Sequence, residues 1–276
     1  MTAQHDADAA NQYAVGGVRE RIETALRATG KDLDALTPAD LASGLASFEH
    51  FHSLGRVGTV ALLEAAHVTA ADRVLDAGSS IGGTARMLAA EHGCQVTAID
   101  LTAEYCDTAR WLNDLVRLDD RIEVIEGDVT DLPLPDESVD LVVSQHVQMN
   151  VADKARLYGE ARRVLRRGGR LALWDVTAGP HQPLAFPVPW ADTPDRSHLV
   201  TPDELAAKLR AAGFTLEVWN DLTDFAQVAM APIVEAPPDP LGLQLLVPDI
   251  DVKVKNLLLN AREDRIRLIQ GVARAA

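Results

Sequence analysis

The sequence predicts a doubly wound α/β fold around a mostly parallel sheet. From Arg73 onward, short runs rich in β-branched residues alternate with segments of helical periodicity, as in strands joined by crossover helices. The strand segments are nearly continuous apolar runs, which is expected when helices cover both faces of a sheet. A turn of small residues, AGSSIGG, follows the first strand at positions 77–83. Ligands of open α/β sheets bind at the carboxyl ends of strands, so this turn marks the expected site.

The order of the elements follows from these patterns. Strands are expected at 73–77, 95–99, 121–125, 139–144, 170–176 and 214–220. Helices are expected near 82–92, 102–118, 152–166, 202–212 and 221–235. Gly168 and Gly169 are expected to end the helix that precedes the fifth strand. Thr201 to Glu204 form a capping box, which predicts that the next helix begins at Pro202.

The chain is predicted to divide into an N-terminal helical cap, residues 1–71, and an α/β domain, residues 72–276. Within the cap, residues 1–12 are expected to be disordered, and helices are expected before Gly30, after Thr37 and over Thr59–Ala66. The α/β domain is expected to include a proline-rich lid loop at 178–200 and an amphipathic C-terminal helix at 250–275. That helix has three possible roles: a lid, the contact of a homodimer, or a tail packed on its own core.

The composition describes an acidic protein with an ordinary apolar content. The 276 residues include 26 Lys and Arg against 41 Asp and Glu, a formal charge of −15, and 47% are hydrophobic. This charge argues against nucleic acid or an anionic membrane as a partner, because phosphate binding requires clustered Lys and Arg. No apolar run reaches the ~20 residues of a membrane helix. The polar N-terminus and the two cysteines, Cys94 and Cys106, favour a cytoplasmic location.

Acidic residues follow successive strands at the expected binding edge. Asp76 ends the first strand, Asp100 ends the second, and Asp128 follows the third. A dinucleotide site would require glycine where Ser80 stands, and a carboxylate at Asp76 would repel a pyrophosphate. The same carboxylates suit a cationic ligand, such as one with an ammonium and a sulfonium group. The sequence therefore favours a cationic nucleotide over a dinucleotide.

Residues 72–178 resemble a class I S-adenosylmethionine-dependent methyltransferase. The subgroup is similar to the ubiquinone/menaquinone C-methyltransferases and the sarcosine/dimethylglycine N-methyltransferases. The segments that carry the resemblance are VLDAGSSIGGTARMLA, VTAIDLT, EGDVTDLPLPDESVDLVVSQHV and ARRVLRRGGRLAL. The resemblance implies a Rossmann-like sheet of seven strands and S-adenosyl-L-methionine as cofactor. It also implies methyl transfer to an oxygen, nitrogen or carbon atom of a small-molecule metabolite.

The resemblance also implies which residues contact the cofactor. They are Gly78, Ser79, Ser80, Ser144 and Gln145 for the methionine part, Asp100 for the ribose, and Leu101, Asp128 and Val129 for the adenine. Asp76 is added to this set because its carboxylate suits a cationic ligand. The chain departs from the family in having Ser79-Ser80 where Cys-Gly is frequent, which tightens the loop around the cofactor.

Two histidines are candidates for the catalytic step. His146 is the candidate general base for a protonated acceptor; alternatively it bonds the backbone or borders the cofactor. His52 is expected to lie over the methyl-transfer centre, or else to be a surface or capping histidine. In the lid loop, Trp190 and His181 are candidate substrate contacts, against the alternative of packed loop anchors. No His, Asp or Glu cluster has metal-ligand spacing, so no metal is expected.

The fold alone leaves a second function open. A protein of this fold can bind S-adenosylmethionine and catalyse a non-methylating reaction such as a cyclisation, or act as a binding subunit. The release of S-adenosylhomocysteine in the presence of acceptors separates the two functions.

Overall fold

A computed structural model of the chain describes residues 16–42 and 47–276; the disorder predicted for residues 1–12 falls outside them. A sheet of seven strands forms the centre of this part. The strands are β1 Arg73–Ala77, β2 Gln95–Asp100, β3 Ile122–Glu126, β4 Val139–Gln145, β5 Leu165–Ala178, β6 Phe214–Asp221 and β7 Ile266–Ala275. The predicted α/β class and the seven-stranded, mostly parallel sheet are confirmed.

The strand order in the sheet is β3-β2-β1-β4-β5-β7-β6. Strands β1 to β5 are parallel, and β7 pairs antiparallel with both β5 and β6. The order reverses between β1 and β4, where Ala77 pairs with Ile99 on one side and with Ser144 on the other. Such a switch point opens a crevice at the carboxyl ends of the strands.

Nine α-helices surround the sheet in the described part of the chain. They are α1 Val18–Ala28, α2 Pro38–Ala42, α3 Gly55–Ala65, α4 Gly83–His92, α5 Ala103–Leu115, α6 Lys154–Val164, α7 Pro202–Ala211, α8 Thr223–Glu235 and α9 Ile250–Arg262. The predicted capping box is confirmed, because the Thr201 hydroxyl accepts from the Glu204 amide and the Glu204 carboxylate accepts from the Thr201 amide. Over residues 16–42 and 47–276, no helix has the length and apolar character required to cross a bilayer.

Two apolar cores lie on opposite faces of the sheet. Val74 of β1 belongs to the core that α1, α3, α4, α5, α8 and α9 cover, whereas its neighbour Leu75 belongs to the core under α6 and α7. The same alternation separates Val143 from Val142 in β4. Because consecutive strand residues point to opposite faces, both faces are apolar, which explains the unbroken apolar runs in the sequence.

The cap is joined to the α/β domain by a buried ion pair. The Arg86 guanidinium of α4 donates to both carboxylate oxygens of Glu49, at 2.9 and 2.6 Å, and to Asn113 Oδ1 at 2.9 Å. Both charged side chains are almost fully buried. The cap approaches so closely that a Cβ on Gly83 would lie 1.8 Å from the Glu49 carbonyl oxygen. Removing either charge would leave the other buried without a partner, which is strongly destabilising.

Two sequence predictions about the second half of the chain are wrong. The helix predicted over 250–275 ends at Arg262, and Ile266–Ala275 form strand β7. Because β7 is buried on both faces, its apolar residues lack the alternation that identifies a half-exposed strand. Gly168 and Gly169 do not end a helix: α6 ends at Val164, and the glycines lie in β5 where its register against β4 shifts.

Candidate functional site

A cavity of about 1750 Å³ opens at the carboxyl ends of β1, β2 and β4. The segment 50–56 of the cap, the lid loop near Trp190, and helices α8 and α9 form its other walls. Ten of the predicted site residues line it: His52, Gly78, Ser80, Asp100, Leu101, Asp128, Val129, Gln145, His146 and Trp190. The topology therefore brings together residues that are far apart in the chain.

The remaining predicted residues lie elsewhere. Asp76 and Ser79 are buried behind the cavity wall, and Asp76 Oδ2 and the Ser79 hydroxyl have no hydrogen-bond partner. Ser144 lines a separate cavity of about 10 Å³ on the α6 side of the sheet. His181 lies outside both cavities, and its Nδ1 is 3.0 Å from the Glu263 carbonyl oxygen. His181 is thus not among the residues brought together at the cavity, because the start of the lid loop lies along the β7 end of the sheet.

The loop after β1 is shaped by backbone hydrogen bonds. The amides of Gly78 and Ser79 both donate to the Ile99 carbonyl at 2.9 Å. Gly78 has φ +77°, and a Cβ there would lie 2.4 Å from Val147 Cγ2. Only glycine fits this backbone and this close approach. The loop thus brings the end of β1 against the loop after β4, with the N-terminus of α4 directly behind it.

Two carboxylates lie close to each other at the loop, with Asp76 buried and Asp100 half-buried. Burial and the neighbouring charge of Asp100 raise the pKa of Asp76 to about 7. Burial also raises the pKa of Asp100, whose carboxylate oxygens accept from the Ser80 amide at 2.8 Å and the Thr102 amide at 2.9 Å. Each oxygen of Asp100 retains acceptor capacity. A cation bound here would relieve the repulsion between the two carboxylates.

Asp128 lies in a turn that its own side chain stabilises. Its carboxylate accepts from the Thr130 amide at 2.7 Å and from the Thr130 hydroxyl at 2.8 Å. Asp128 and the neighbouring Val129 line the cavity beyond Asp100 and Leu101. The turn therefore holds a carboxylate acceptor and a backbone amide side by side in the cavity wall.

A hydrogen-bond network links the cap to Gln145. His52 Nδ1 lies 3.1 Å from the Ser53 carbonyl oxygen, which only accepts, so Nδ1 carries the proton. His52 Nε2 then accepts from Gln145 Nε2 at 2.6 Å. Gln145 Nε2 also donates to the Thr59 hydroxyl at 3.2 Å. The amide orientation of Gln145 follows, and it leaves Gln145 Oε1 buried without a hydrogen-bond partner.

His146 is held by a second set of contacts. Trp174 Nε1 lies 3.0 Å from both the carbonyl and the hydroxyl oxygen of Ser53. The Ser53 hydroxyl lies 2.9 Å from His146 Nε2. The direction of this last hydrogen bond is set by the tautomer of the His146 ring, since a hydroxyl both donates and accepts. His146 itself has φ +55°, a conformation that L-residues rarely adopt.

The three histidines of this region are neutral around pH 7. Burial lowers the pKa of His52 to about 4, and burial with the charge of His52 lowers the pKa of His50 to about 3. Burial likewise lowers the pKa of His146 well below its usual range. Neutral rings offer unprotonated nitrogens, but both nitrogens of His52 are already hydrogen-bonded. His52 therefore orients Gln145, and His146 is another neutral ring in the cavity wall, with its Nε2 bonded to the Ser53 hydroxyl.

Sequence reasoning missed the residues that support His146. Lys154 of α6 is buried and donates to the carbonyls of Gln148 at 2.5 Å, His198 at 2.8 Å and Val151. Asp175 of β5 accepts from the Val147 amide at 3.0 Å and the Gln148 amide at 3.3 Å. Ser53 and Thr59 were also missed as partners. The signal for these residues in the sequence is weak, because single Ser, Thr and Lys residues occur throughout protein surfaces.

Among the described residues, no group of three or more His, Cys, Asp or Glu side chains is placed so that it could hold a metal ion. The groups gathered in the cavity wall are instead hydrogen-bond acceptors: the carboxylates of Asp100 and Asp128, the amide oxygen of Gln145 and neutral imidazoles. Such a set can bind a cation with N–H or O–H donors, and it can accept a proton at His146.

Comparison with known proteins agrees with this geometry. Residues 75–173 match the family model described as a methyltransferase domain. The sarcosine/dimethylglycine N-methyltransferase of Halorhodospira halochloris is 34% identical over 150 residues, which are 54% of this chain and 54% of that protein. The chain thus spans about half the length of the curated relatives that it matches.

Solved structures share the fold over a longer part of the chain. The geranyl diphosphate C-methyltransferase of Streptomyces coelicolor superposes with a TM-score of 0.66 at 19% identity, over 80% of each chain. The [4+2]-cyclase SpnF superposes with a TM-score of 0.62 at 21% identity, over 81% of this chain and 83% of that one. At these identities the likeness establishes the fold and leaves the reaction open.

Proposed function

We propose that this chain, which carries a class I methyltransferase domain at residues 75–173, transfers a methyl group from S-adenosyl-L-methionine to a small molecule. The acceptor atom is an oxygen, nitrogen or carbon. The observation that carries the proposal is the pair of neighbouring carboxylates, buried Asp76 and half-buried Asp100, at the carboxyl ends of β1 and β2. Two such charges without a cation are unfavourable, and a ligand with a sulfonium and an ammonium group supplies positive charge.

The residues present fit this cofactor. The Ser80 hydroxyl and Gln145 Oε1 belong to residues of the cavity wall and are buried without partners, as expected of atoms that a ligand completes. In the proposed assignment, Asp100 accepts from the ribose hydroxyls and the Asp128–Val129 turn takes the adenine edge. Gly78 to Ser80 and Gln145 hold the methionine part, and Asp76 contributes charge from behind the loop.

The bound cofactor supplies a methyl group that its sulfonium has already activated. The protein therefore orients the acceptor, excludes water and, for a protonated acceptor, removes a proton. We assign the proton acceptor as the His146 ring, which is neutral and lines the cavity. His52 acts as a positioning residue, and Trp190, almost fully buried, forms part of the acceptor wall.

Product analysis and calorimetry test the proposal together. Incubation with S-adenosylmethionine and a panel of acceptors should release S-adenosylhomocysteine. Asp100→Asn should weaken cofactor affinity about tenfold or more, since hydrogen bonds to charged groups contribute ~1.5–3 kcal/mol. Asp107→Asn, at an exposed carboxylate on α5, is the matched control. Binding of S-adenosylhomocysteine without turnover of any acceptor would favour the non-methylating alternative, and absence of binding would overturn the proposal.

We further infer that the protein acts in the cytoplasm, without nucleic acid or membrane partners. Both cysteines are free and buried, and the net charge of −15 supports the exclusion of polyanions. A homodimer is expected through α9, whose Val252 and Leu259 are exposed. Sedimentation of the protein alone and of Leu259→Glu tests this expectation; a monomer in both cases would contradict it.

A further inference from the structure

The cavity exceeds what one ligand requires. Its volume of about 1750 Å³ compares with roughly 300–1,000 Å³ for ordinary ligand sites. Away from the carboxylates, the walls are mainly apolar side chains. They include Phe51, Met149, Trp190, Met230, Leu243 and Leu257. The space beside the cofactor end can therefore hold an acceptor larger than an amino acid.

The Lys and Arg side chains in the cavity wall are all exposed or half-buried. Arg56 is half-buried, and both ends of its guanidinium bond the Glu91 carboxylate at 2.8 Å. Arg156 and Lys255 are exposed and lie near Asp131 and Asp251, at 3.7 and 3.9 Å. The fourth, Arg196, is exposed and lies next to Asp195 in the chain. Each of these cations is thus hydrated or already faces a carboxylate.

No buried cation of the described residues is available to an anionic acceptor either. The buried guanidinium of Arg86 bonds Glu49, Lys253 bonds Asp192 at 2.8 Å, and Lys154 bonds backbone carbonyls. None of these three side chains lines the cavity. The positions outside the described residues, 1–15 and 43–46, contain no Lys or Arg in the sequence. Bringing an anion into this cavity would therefore leave it desolvated without a counter-charge.

We propose that the methyl acceptor is an uncharged, largely apolar molecule larger than an amino acid, and that the cavity discriminates against carboxylate and phosphate acceptors. This inference rests on the proposed function, since it assigns the second ligand of the same site. The apolar walls recognise the acceptor through buried area, and the lack of an unpaired buried cation excludes anions.

Matched probes test this discrimination. Geraniol and geranyl diphosphate share one apolar chain and differ in the anion; progesterone is a larger neutral probe, and dimethylglycine is a small carboxylate. Calorimetry is done on the protein saturated with S-adenosylhomocysteine, whose own binding is measured first. We expect geraniol or progesterone to bind at least about tenfold more tightly than either anionic probe. Tighter binding of an anionic probe, or no binding of either neutral probe, would overturn the inference.

The titration with S-adenosylhomocysteine distinguishes failure of the proposed function from failure of the proposed acceptor class. If S-adenosylhomocysteine does not bind, the proposed function fails; if it binds and the probe preference is reversed, only the acceptor class fails.

Adding the missing cation is the converse test. Val234→Arg places a guanidinium at a half-buried wall position of α8, where it is less hydrated than the exposed Arg156 and Lys255, and thermal unfolding checks that the variant is folded. Val228→Arg adds the same charge on the same helix, at an exposed position outside the cavity wall. We expect Val234→Arg to tighten geranyl diphosphate binding about tenfold relative to geraniol, and Val228→Arg to leave the ratio unchanged. An equal change in both variants would mean that net charge, and not the cavity wall, sets the preference.

Discussion

The Nε2 atom of His52, in the cap, lies 2.6 Å from the Nε2 atom of Gln145, at the end of β4. Because burial keeps the imidazole neutral and its Nδ1 proton is used by the Ser53 carbonyl, this contact sets which way the Gln145 amide points. The cap thereby determines that the oxygen of Gln145, and not its nitrogen, is available to a ligand. His52, predicted from the sequence to lie over the methyl-transfer centre, thus orients a residue of the proposed cofactor site.

Replacing His52 should therefore weaken cofactor binding more than it slows the chemical step. In His52→Ala the Gln145 amide is free to rotate, and one hydrogen bond to the cofactor is lost or shared. We expect the affinity for S-adenosylhomocysteine to fall about three- to tenfold, since one hydrogen bond contributes ~0.5–1.5 kcal/mol. The turnover number at saturating cofactor should change less. His181→Ala, at a ring outside the cavity, should alter neither quantity. A large fall in turnover number with unchanged affinity would make His52 a catalytic residue.

Asp76 should make the cofactor-free protein less stable as the pH rises. The pKa of Asp76 is about 7 in the fold and about 4 in an unfolded chain. Between these values the folded state holds a proton that the unfolded state has lost, so stability falls with rising pH by at most ~1.4 kcal/mol per pH unit. Above pH 7 this loss of folding stability is complete.

Asp76→Asn removes this titration. We expect the variant to gain stability relative to the parent protein between pH 5 and pH 8, with a higher melting temperature at pH 8, at ~2–4 °C per kcal/mol for a chain of this size class. Its affinity for S-adenosylmethionine should fall about tenfold or more, because a buried negative charge facing the sulfonium is lost. Thermal unfolding and calorimetry on the same samples measure both. A variant that is less stable at pH 8 would show that the carboxylate is not strained by burial.

The sequence predicted the acidic half of this site because aspartates at strand ends are recognisable in one dimension. Asp76, Asp100 and Asp128 each follow an apolar run, and parallel strands bring such positions to one edge. The partners of the histidines were not predictable in this way. Ser53 and His146 are 93 positions apart and meet only because α3 packs against β5. No periodicity in the sequence encodes that contact.

Strand β7 shows a different limit of sequence reasoning. Ile266, Leu268, Ile269 and Val272 are all buried, which matches the inward face predicted for a helix almost as well as a fully buried strand. Pairing with β5 and β6 decides the conformation, since the backbone of β7 is hydrogen-bonded on both sides. Tertiary context therefore overrode the helical pattern.

His146→Ala should separate proton removal from cofactor binding. If a hydroxyl or carbon acid is the acceptor, loss of the base should lower the turnover number by about 10²–10⁴. The affinity for S-adenosylhomocysteine should change by no more than about threefold. That change is smaller than the loss of a typical hydrogen bond to the cofactor would cause. Ser53→Ala is the informative companion, because it releases Nε2 without removing the ring. A comparable loss of cofactor affinity in His146→Ala would instead make this ring a cofactor contact.

Lys154 should stabilise the loop that carries His146 and tie it to the lid loop. Its ammonium donates to carbonyls on both segments, Gln148 and Val151 on one and His198 on the other. Burial lowers its pKa to about 8, so it is still mostly protonated at pH 7. Lys154→Met keeps much of the side-chain volume and leaves those carbonyls without their donor, at a cost of ~1–3 kcal/mol for an unsatisfied buried group. We expect a lower melting temperature and faster proteolysis within 178–200. Lys208→Met, on the exposed face of α7, is the control. Equal effects of the two substitutions would mean that the ammonium does not hold the two loops together.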